Sequence, residues 1–215
     1  MKLNILYFTL FHFNAILLAV WIIFLIIVAL RFFRPQWVRN ISFWKLSLIA
    51  IGINIFYGLF VTWGQYYVWA HGSEFTQSLL NSPLPPQVPI WEWARPFFSH
   101  SLGYFAFYVL GRTWLNVLIS FIISGVLYSL FKIWSNYRGN FIAQGPELLL
   151  VLMLISGYPG ILILIPVGFI LAILFFGFSY LEGKRGNIIL NIEPAFIFAT
   201  LIVLLFSRII LSMLY

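Results

Sequence analysis

What constrains this chain most is how far it runs without a charge. No Asp, Glu, Lys or Arg interrupts 7–30, 46–69, 113–131, 148–156, 161–181 or 195–207. A hydrocarbon layer about 30 Å thick is crossed by about 20 residues of helix rising about 1.5 Å each. Lipid offers the backbone no hydrogen bonds, so only helices and closed barrels span it. The runs are continuously apolar rather than alternating, which selects helices over a barrel. The expected fold is therefore all-α, a polytopic helical membrane protein in contact with the bilayer. A water-soluble globule is excluded, because 8% of the residues are charged where soluble domains carry about 25%.

Basic residues orient the spans. Arg31, Arg34, Arg39 and Lys45 crowd the first connection, Lys132 and Arg138 a later one, and Lys184 and Arg185 a third. Cytoplasmic loops carry the excess of Lys and Arg, which places these three connections in the cytoplasm and the N-terminus outside, in an inner (plasma) membrane. The same distribution assigns the net charge of +7 to membrane topology, so no nucleic-acid partner is expected. The chain reads as one integral membrane domain over 1–215. Six spans are expected, at about 7–30, 46–69, 113–134, 147–159, 161–181 and 189–214. The first is longer than the about 7–15 apolar residues of a signal peptide, and no small-residue cleavage site follows, so it reads as a retained span.

Between the second and third spans, 71–96 is the long polar stretch, an outer loop kept irregular by Pro83, Pro85, Pro86, Pro89 and Pro96. Trp63, Gln65, Tyr66, Tyr67 and Trp69 just before it form an aromatic belt at headgroup depth. Residues 97–110 are apolar but short for a crossing and end at Gly111-Arg112. They read as an interfacial or re-entrant helix. On the third span, Asn116, Ser120, Ser124 and Gly125 form a small polar stripe suited to close helix packing.

The inventory for chemistry is thin. The chain has no cysteine and no aspartate, and its histidines, His12, His71 and His100, follow no metal-binding spacing. No metal or other cofactor is expected, and no nucleophile or phosphate-loop motif is present. Two carboxylates sit at ends of apolar runs, Glu147 after Gly145-Pro146 and Glu193 before Pro194. Ionisable groups there are functional candidates by default, which makes these two the catalytic candidates. The plainer reading is a carboxylate at the positive end of its own helix. A second group, Glu74, Glu92, Arg95 and Arg112 with His100, falls on the outer face and offers charges suited to a polar headgroup or glycan.

The C-terminal half follows a recognisable order: TWLNVLISFIISGVLY, the basic KIWSNYRGNF, AQGPELLLVLMLISGYPG, a span over 161–181, EGKRG, and NIEPAFIFATLIVLL. This order resembles the membrane domain of type IV prepilin peptidases, which are intramembrane aspartyl proteases. In that family a basic loop precedes Gly-x-Gly-Asp opening a helix, a Gly-rich break follows, and the last helix begins Ile-Pro-Phe-Gly-Pro-Phe. The family aspartate falls on Pro146 here, with Glu147 one place later, and the other aspartate has no counterpart. The resemblance implies the scaffold of such a peptidase without its catalysis. The expected function is therefore a non-catalytic multi-pass protein that binds or assembles with another membrane protein, such as a single-span helix. The competing expectation is a membrane enzyme or transporter handling a lipid-linked or polar substrate at the outer face through Glu74, Glu92, Arg95 and Arg112.

Overall fold

A computed structural model describes residues 2–138, 144–181 and 192–214, with side chains for 12–137, 144–178 and 192–206. The side chains of Lys2, Arg138, Lys184, Arg185 and Arg208, part of the charge pattern above, lie outside the described residues. Seven α-helices follow in order: α1 (Lys2–Phe33), α2 (Phe43–Ala70), α3 (Glu74–Leu80), α4 (Gly103–Val109), α5 (Leu115–Arg138), α6 (Gly145–Leu181) and α7 (Glu193–Leu214). Among the described residues there is no strand. Four stretches are long and apolar enough to cross a membrane: His12–Phe33, Phe43–Ala70, Gly103–Tyr137 and Gly145–Phe178. Glu193–Phe206 is a shorter apolar helix.

Contacts divide the chain into two compact units, Met1–Gly52 with Ile119–Tyr215, and Ile53–Leu118. In the first, the basic connection after α1 folds back on itself. Arg31 Nε donates to the Ile41 carbonyl at 2.6 Å, and its guanidinium lies 5.7 Å from the Phe43 ring centroid. Ser42 Oγ accepts from the Lys45 amide at 3.3 Å, the bond of a helix N-cap, and α2 begins there.

Helices α6 and α7 start alike. Gly145-Pro146-Glu147 and Glu193-Pro194 place in the first turn a proline whose missing N–H has no intrahelical partner anyway, and a carboxylate that complements the positive helix end. At Gly157 (φ 60°, ψ 174°) and Tyr158 (φ −85°, ψ 136°) the backbone of α6 leaves the helix. That Gly157 conformation is essentially closed to residues with a Cβ, and an extended residue is the rule before a proline such as Pro159. The break separates two segments of different character. In 145–156, Leu148, Leu149, Val151, Leu152, Met153, Leu154 and Ile155 are all buried, so protein surrounds this segment on every face. In 159–181 burial follows helical spacing at Ile161, Leu164, Gly168 and Ala172, while Leu162, Ile170, Ile173, Leu174 and Phe178 face outward.

The buried face of that second segment packs on α7. A Cβ added to Gly160 would meet Val203, and one added to Gly168 would lie 2.7 Å from the Phe196 ring. As α6 advances by eight residues its partner in α7 recedes by seven, so the two run antiparallel with glycines admitting close approach. Helix α1 completes the packing against α6 and α7.

The second unit has an aromatic core of Trp69, Leu80, Phe105 and Val109, flanked by Tyr104, Tyr108 and Trp114. Trp69 meets Phe105 edge-on at 5.4 Å between centroids and Tyr108 at 5.0 Å. Trp63 and Tyr66 are exposed as a belt requires, but Trp69 is turned inward by these partners. The proline-rich stretch ends in a 3₁₀ turn over Glu92–Phe98, and Gly103 then packs directly on the Phe98 carbonyl where no side chain fits. This contact, not Gly111-Arg112, marks the start of the next helix. A π-helical turn over Leu110–Trp114 joins α4 to α5 without a break. The short helix expected at 97–110 is thus the beginning of one helical run from Gly103 through α5.

Candidate functional site

Glu147 lies beside a cation and a phenol of α5. Its Oε1 accepts from Lys132 Nζ at 2.6 Å and from the Tyr128 hydroxyl at 3.5 Å. Tyr128 in turn lies against Trp44 of α2, with 6.5 Å between ring centroids. The Glu147 side chain is 16% exposed and that of Lys132 43%, so the acid is the more buried member of the pair. The other oxygen, Oε2, is buried without a hydrogen-bond partner among the described residues. Buried acceptors in this condition are uncommon.

The partners come from an inclined row on α5 spaced every four residues: Ser120, Ser124, Tyr128 and Lys132. Ser120 and Ser124 are buried, and their hydroxyls have no partner among the described residues. Elsewhere in these helices Ser47, Ser129, Ser156 and Thr200 all donate to the carbonyl four residues earlier. The small polar stripe expected on this span therefore divides. Ser120 and Ser124 face inward, whereas Asn116 and Gly125 are exposed. Asn116 Nδ2 instead donates at 3.3 Å to the Arg112 carbonyl, a group of the π turn.

Glu193 is fully buried in the first turn of α7, three residues before the Phe196 ring that fills the α6 seam. Each of the two candidate carboxylates thus opens its own helix. An acid–base pair in the manner of an aspartyl protease needs two carboxylates sharing a proton in direct contact. The contact shown at Glu147 is instead with an ammonium group.

In the second group of candidates, the two acids open short helical turns and the two arginines bond locally. Glu74 opens α3 behind the Ser73 cap and is exposed, and Glu92 opens the 3₁₀ turn and is exposed. Arg95 donates to the Val88 carbonyl at 3.2 Å, and Arg112 donates to the Tyr108 hydroxyl at 2.8 Å. Among the described residues no ion pair joins these four. His71 stacks on Tyr67 at 4.2 Å, and His100 Nδ1 accepts from the Leu102 amide at 3.2 Å. No three His, Cys, Asp or Glu residues gather to hold a metal among the described residues.

No protein-family model matches the chain, and comparison with curated proteins and with solved structures finds no match. The site has therefore to be read from its own geometry. Lys132, Tyr128 and Trp44 were not among the expected site residues. The four-residue repeat from Ser120 to Lys132 was the available signal, since it puts a cation and a phenol on the same helical row as two serines.

Proposed function

We propose that this chain is a non-catalytic multi-pass protein of the inner (plasma) membrane, built on a prepilin-peptidase-like scaffold and acting as a binding or assembly partner for another membrane protein. The observation that carries this reading is the 2.6 Å pair between Lys132 and Glu147. Glu147 stands one place beyond the position of the family aspartate in the resemblance drawn above. Its oxygen is committed to an ammonium group, which supports a structural acid rather than half of a proton-sharing dyad.

The topology belongs to the same proposal. Dividing α6 at Gly157 gives six membrane segments, with the N-terminus outside. A single crossing by α6 would put the basic stretches before and after it on opposite sides, against the charge rule. The segment 145–156 is about 18 Å long at about 1.5 Å per residue, too short to cross alone, and its burial on all faces fits a segment enclosed by other helices. The chain has no cysteine, so single cysteines report topology directly. In intact cells Tyr137→Cys and Gly183→Cys resist an impermeant maleimide and Gln87→Cys reacts. Labelling of only one of the first two refutes the six-segment arrangement.

The partner reading is tested with photo-crosslinking residues at Val126 of α5 and Leu205 of α7, both outward-facing. The expected result is a discrete adduct of constant mass from one of these faces, unchanged by Glu147→Gln or Glu193→Gln. An adducted partner that is shortened by the unmodified chain and intact with Glu147→Gln overturns the non-catalytic reading. Absence of any discrete adduct from both faces removes the partner.

A further inference from the structure

The basic connection between α1 and α2 is compact and holds a pocket of its own. The Arg34 amide still bonds the Leu30 carbonyl at 2.8 Å. Tight turns then close from the Trp37 amide to Arg34 (3.0 Å), from Val38 to Pro35 (3.3 Å) and from Ile41 to Val38 (3.3 Å). The turns enclose an open pocket of about 310 Å³ lined by Gln36, Trp37, Val38, Arg39, Asn40 and Ile41, a volume at the lower end of small-ligand sites.

Three cations meet at this pocket. Arg39 lines it. Arg31 Nε donates to the carbonyl of the lining residue Ile41 at 2.6 Å, and Lys45 Nζ to the carbonyl of the lining residue Asn40 at 3.5 Å. Arg34 adds a fourth charge where the turns begin. Among the described residues no carboxylate pairs with any of the four, and the exposed side chains of Arg34 and Arg39 make no hydrogen bond. Like charges held together repel, and an anion relieves them.

Depth decides which anion. The runs free of charge end at Leu30 and resume at Leu46, so Arg31 and Lys45 mark the edge of the hydrocarbon and the pocket stands at headgroup level. Trp37, 72% exposed, suits that level. The hydrocarbon lies beyond Lys45 along α2. There Leu48, Ile49 and Gly52 follow Lys45 at the third, fourth and seventh places, on the same helical face, and all are exposed. A Cβ on Gly52 would meet no atom within 4 Å. An open apolar track thus runs from the cations into the membrane interior.

We propose that the α1–α2 connection binds one anionic phospholipid. Arg39 and Lys45 hold its phosphate, with the side-chain amides of Gln36 and Asn40 as further donors, and its acyl chains run along Leu48, Ile49 and Gly52. A guanidinium engages phosphate oxygens in pairs, and an ammonium serves as a point charge. The site needs neither the Glu147 pair nor a partner protein.

Native mass spectrometry of the full chain released from neutral detergent counts the lipids that it retains. Phosphatidylglycerol, phosphatidylcholine of the same chains, and glycerol phosphate are compared. One phosphatidylglycerol is retained at concentrations at least about tenfold below those needed for phosphatidylcholine, since each basic residue at a membrane surface contributes about fivefold. Glycerol phosphate at equal concentration does not displace it. Arg39→Gln weakens the preference about fivefold, Arg39→Gln/Lys45→Gln removes it, and Arg39→Lys keeps most of it. Arg112→Gln, which deletes the same charge elsewhere, leaves it unchanged. Equal retention of the two lipids overturns the proposal, as does displacement by glycerol phosphate at equal concentration, which makes this a site for a soluble anion. It is equally overturned if Arg112→Gln weakens the preference as much as Arg39→Gln, or if the Arg39→Gln/Lys45→Gln protein retains the lipid as the unmodified chain does.

Discussion

Neutralising Glu147 tests whether its carboxylate holds α5 to α6. At an effective dielectric of about 20, unit charges about 4 Å apart attract by about 4 kcal/mol before either group is desolvated. The Lys132 side chain is 43% exposed and that of Glu147 16%, so the pair is neither fully buried nor fully exposed, and desolvation and screening offset most of that attraction. Exposed pairs measure about 0.2–1 kcal/mol, and breaking a fully buried pair costs about 3–5 kcal/mol. A pair with one half-exposed member and one largely buried member falls between, at about 1–2 kcal/mol. For a chain of this size that lowers Tm by roughly 3–6 °C.

The identity of the replacement sharpens the prediction. Glu147→Gln keeps an acceptor for Lys132 and Tyr128. Glu147→Leu keeps none, and leaves the Tyr128 hydroxyl without its described acceptor. The expected order of stability is unmodified, then Gln, then Leu. In a double-mutant cycle with Lys132→Met, the Lys132→Met/Glu147→Leu protein recovers at least half of the summed single losses, because contacting partners are not additive. Thermal melts of the four proteins in one detergent decide the matter. Strict additivity, or a Gln variant no less stable than the unmodified chain, refutes the claim that this pair fastens the two helices.

Three other substitutions follow from local geometry. Gly157→Ala forces a Cβ into the φ 60°, ψ 174° conformation at about 1–3 kcal/mol, and a melt unchanged within error would show that the break does not need glycine. Gly168→Ala sets a methyl 2.7 Å from the buried Phe196 ring, so Tm falls, and Phe196→Leu in the same chain restores part of the loss; no rescue would place the clash elsewhere. Ser124→Ala removes a buried hydroxyl without a described partner, so stability is unchanged or rises by up to about 1 kcal/mol. A clear loss would mean that the hydroxyl is bonded in the membrane-embedded protein.

The pair Lys132–Glu147 shows where sequence reading stopped. Helix starts at Gly145-Pro146-Glu147 and Glu193-Pro194 were legible because proline and a carboxylate have position-specific meaning in a first turn. So was the break at Gly157, since glycine followed by a residue before proline leaves few helical options. The partner of Glu147 was not legible, because a contact fifteen residues away depends on which faces of two helices meet. The π turn was equally silent: propensities describe helix against coil, and Gly111-Arg112 resembles a helix end whether or not the backbone ends there. Trp69 was misplaced for a related reason, since an indole suits headgroup depth and an aromatic core alike.

A deeper limit lies in the solvent. In water, burial separates apolar from polar residues along a helix, and the pattern reveals the packed face. In lipid, the outward face is as apolar as the inward one, so α6 reads as uniform although 145–156 is enclosed and 159–181 is half exposed. Its packed face does carry the small residues Gly160, Gly168 and Ala172, interspersed with Ile161 and Leu164, while Ile170, Phe176 and Phe178 face out. Size alone is not sufficient either, because Gly125 of α5 is exposed and a Cβ there would meet no neighbour within 4 Å. The small residues that matter are those repeated at helical spacing opposite a large ring, as Gly168 stands opposite Phe196, and that opposition is visible only once the antiparallel register of α6 and α7 is known.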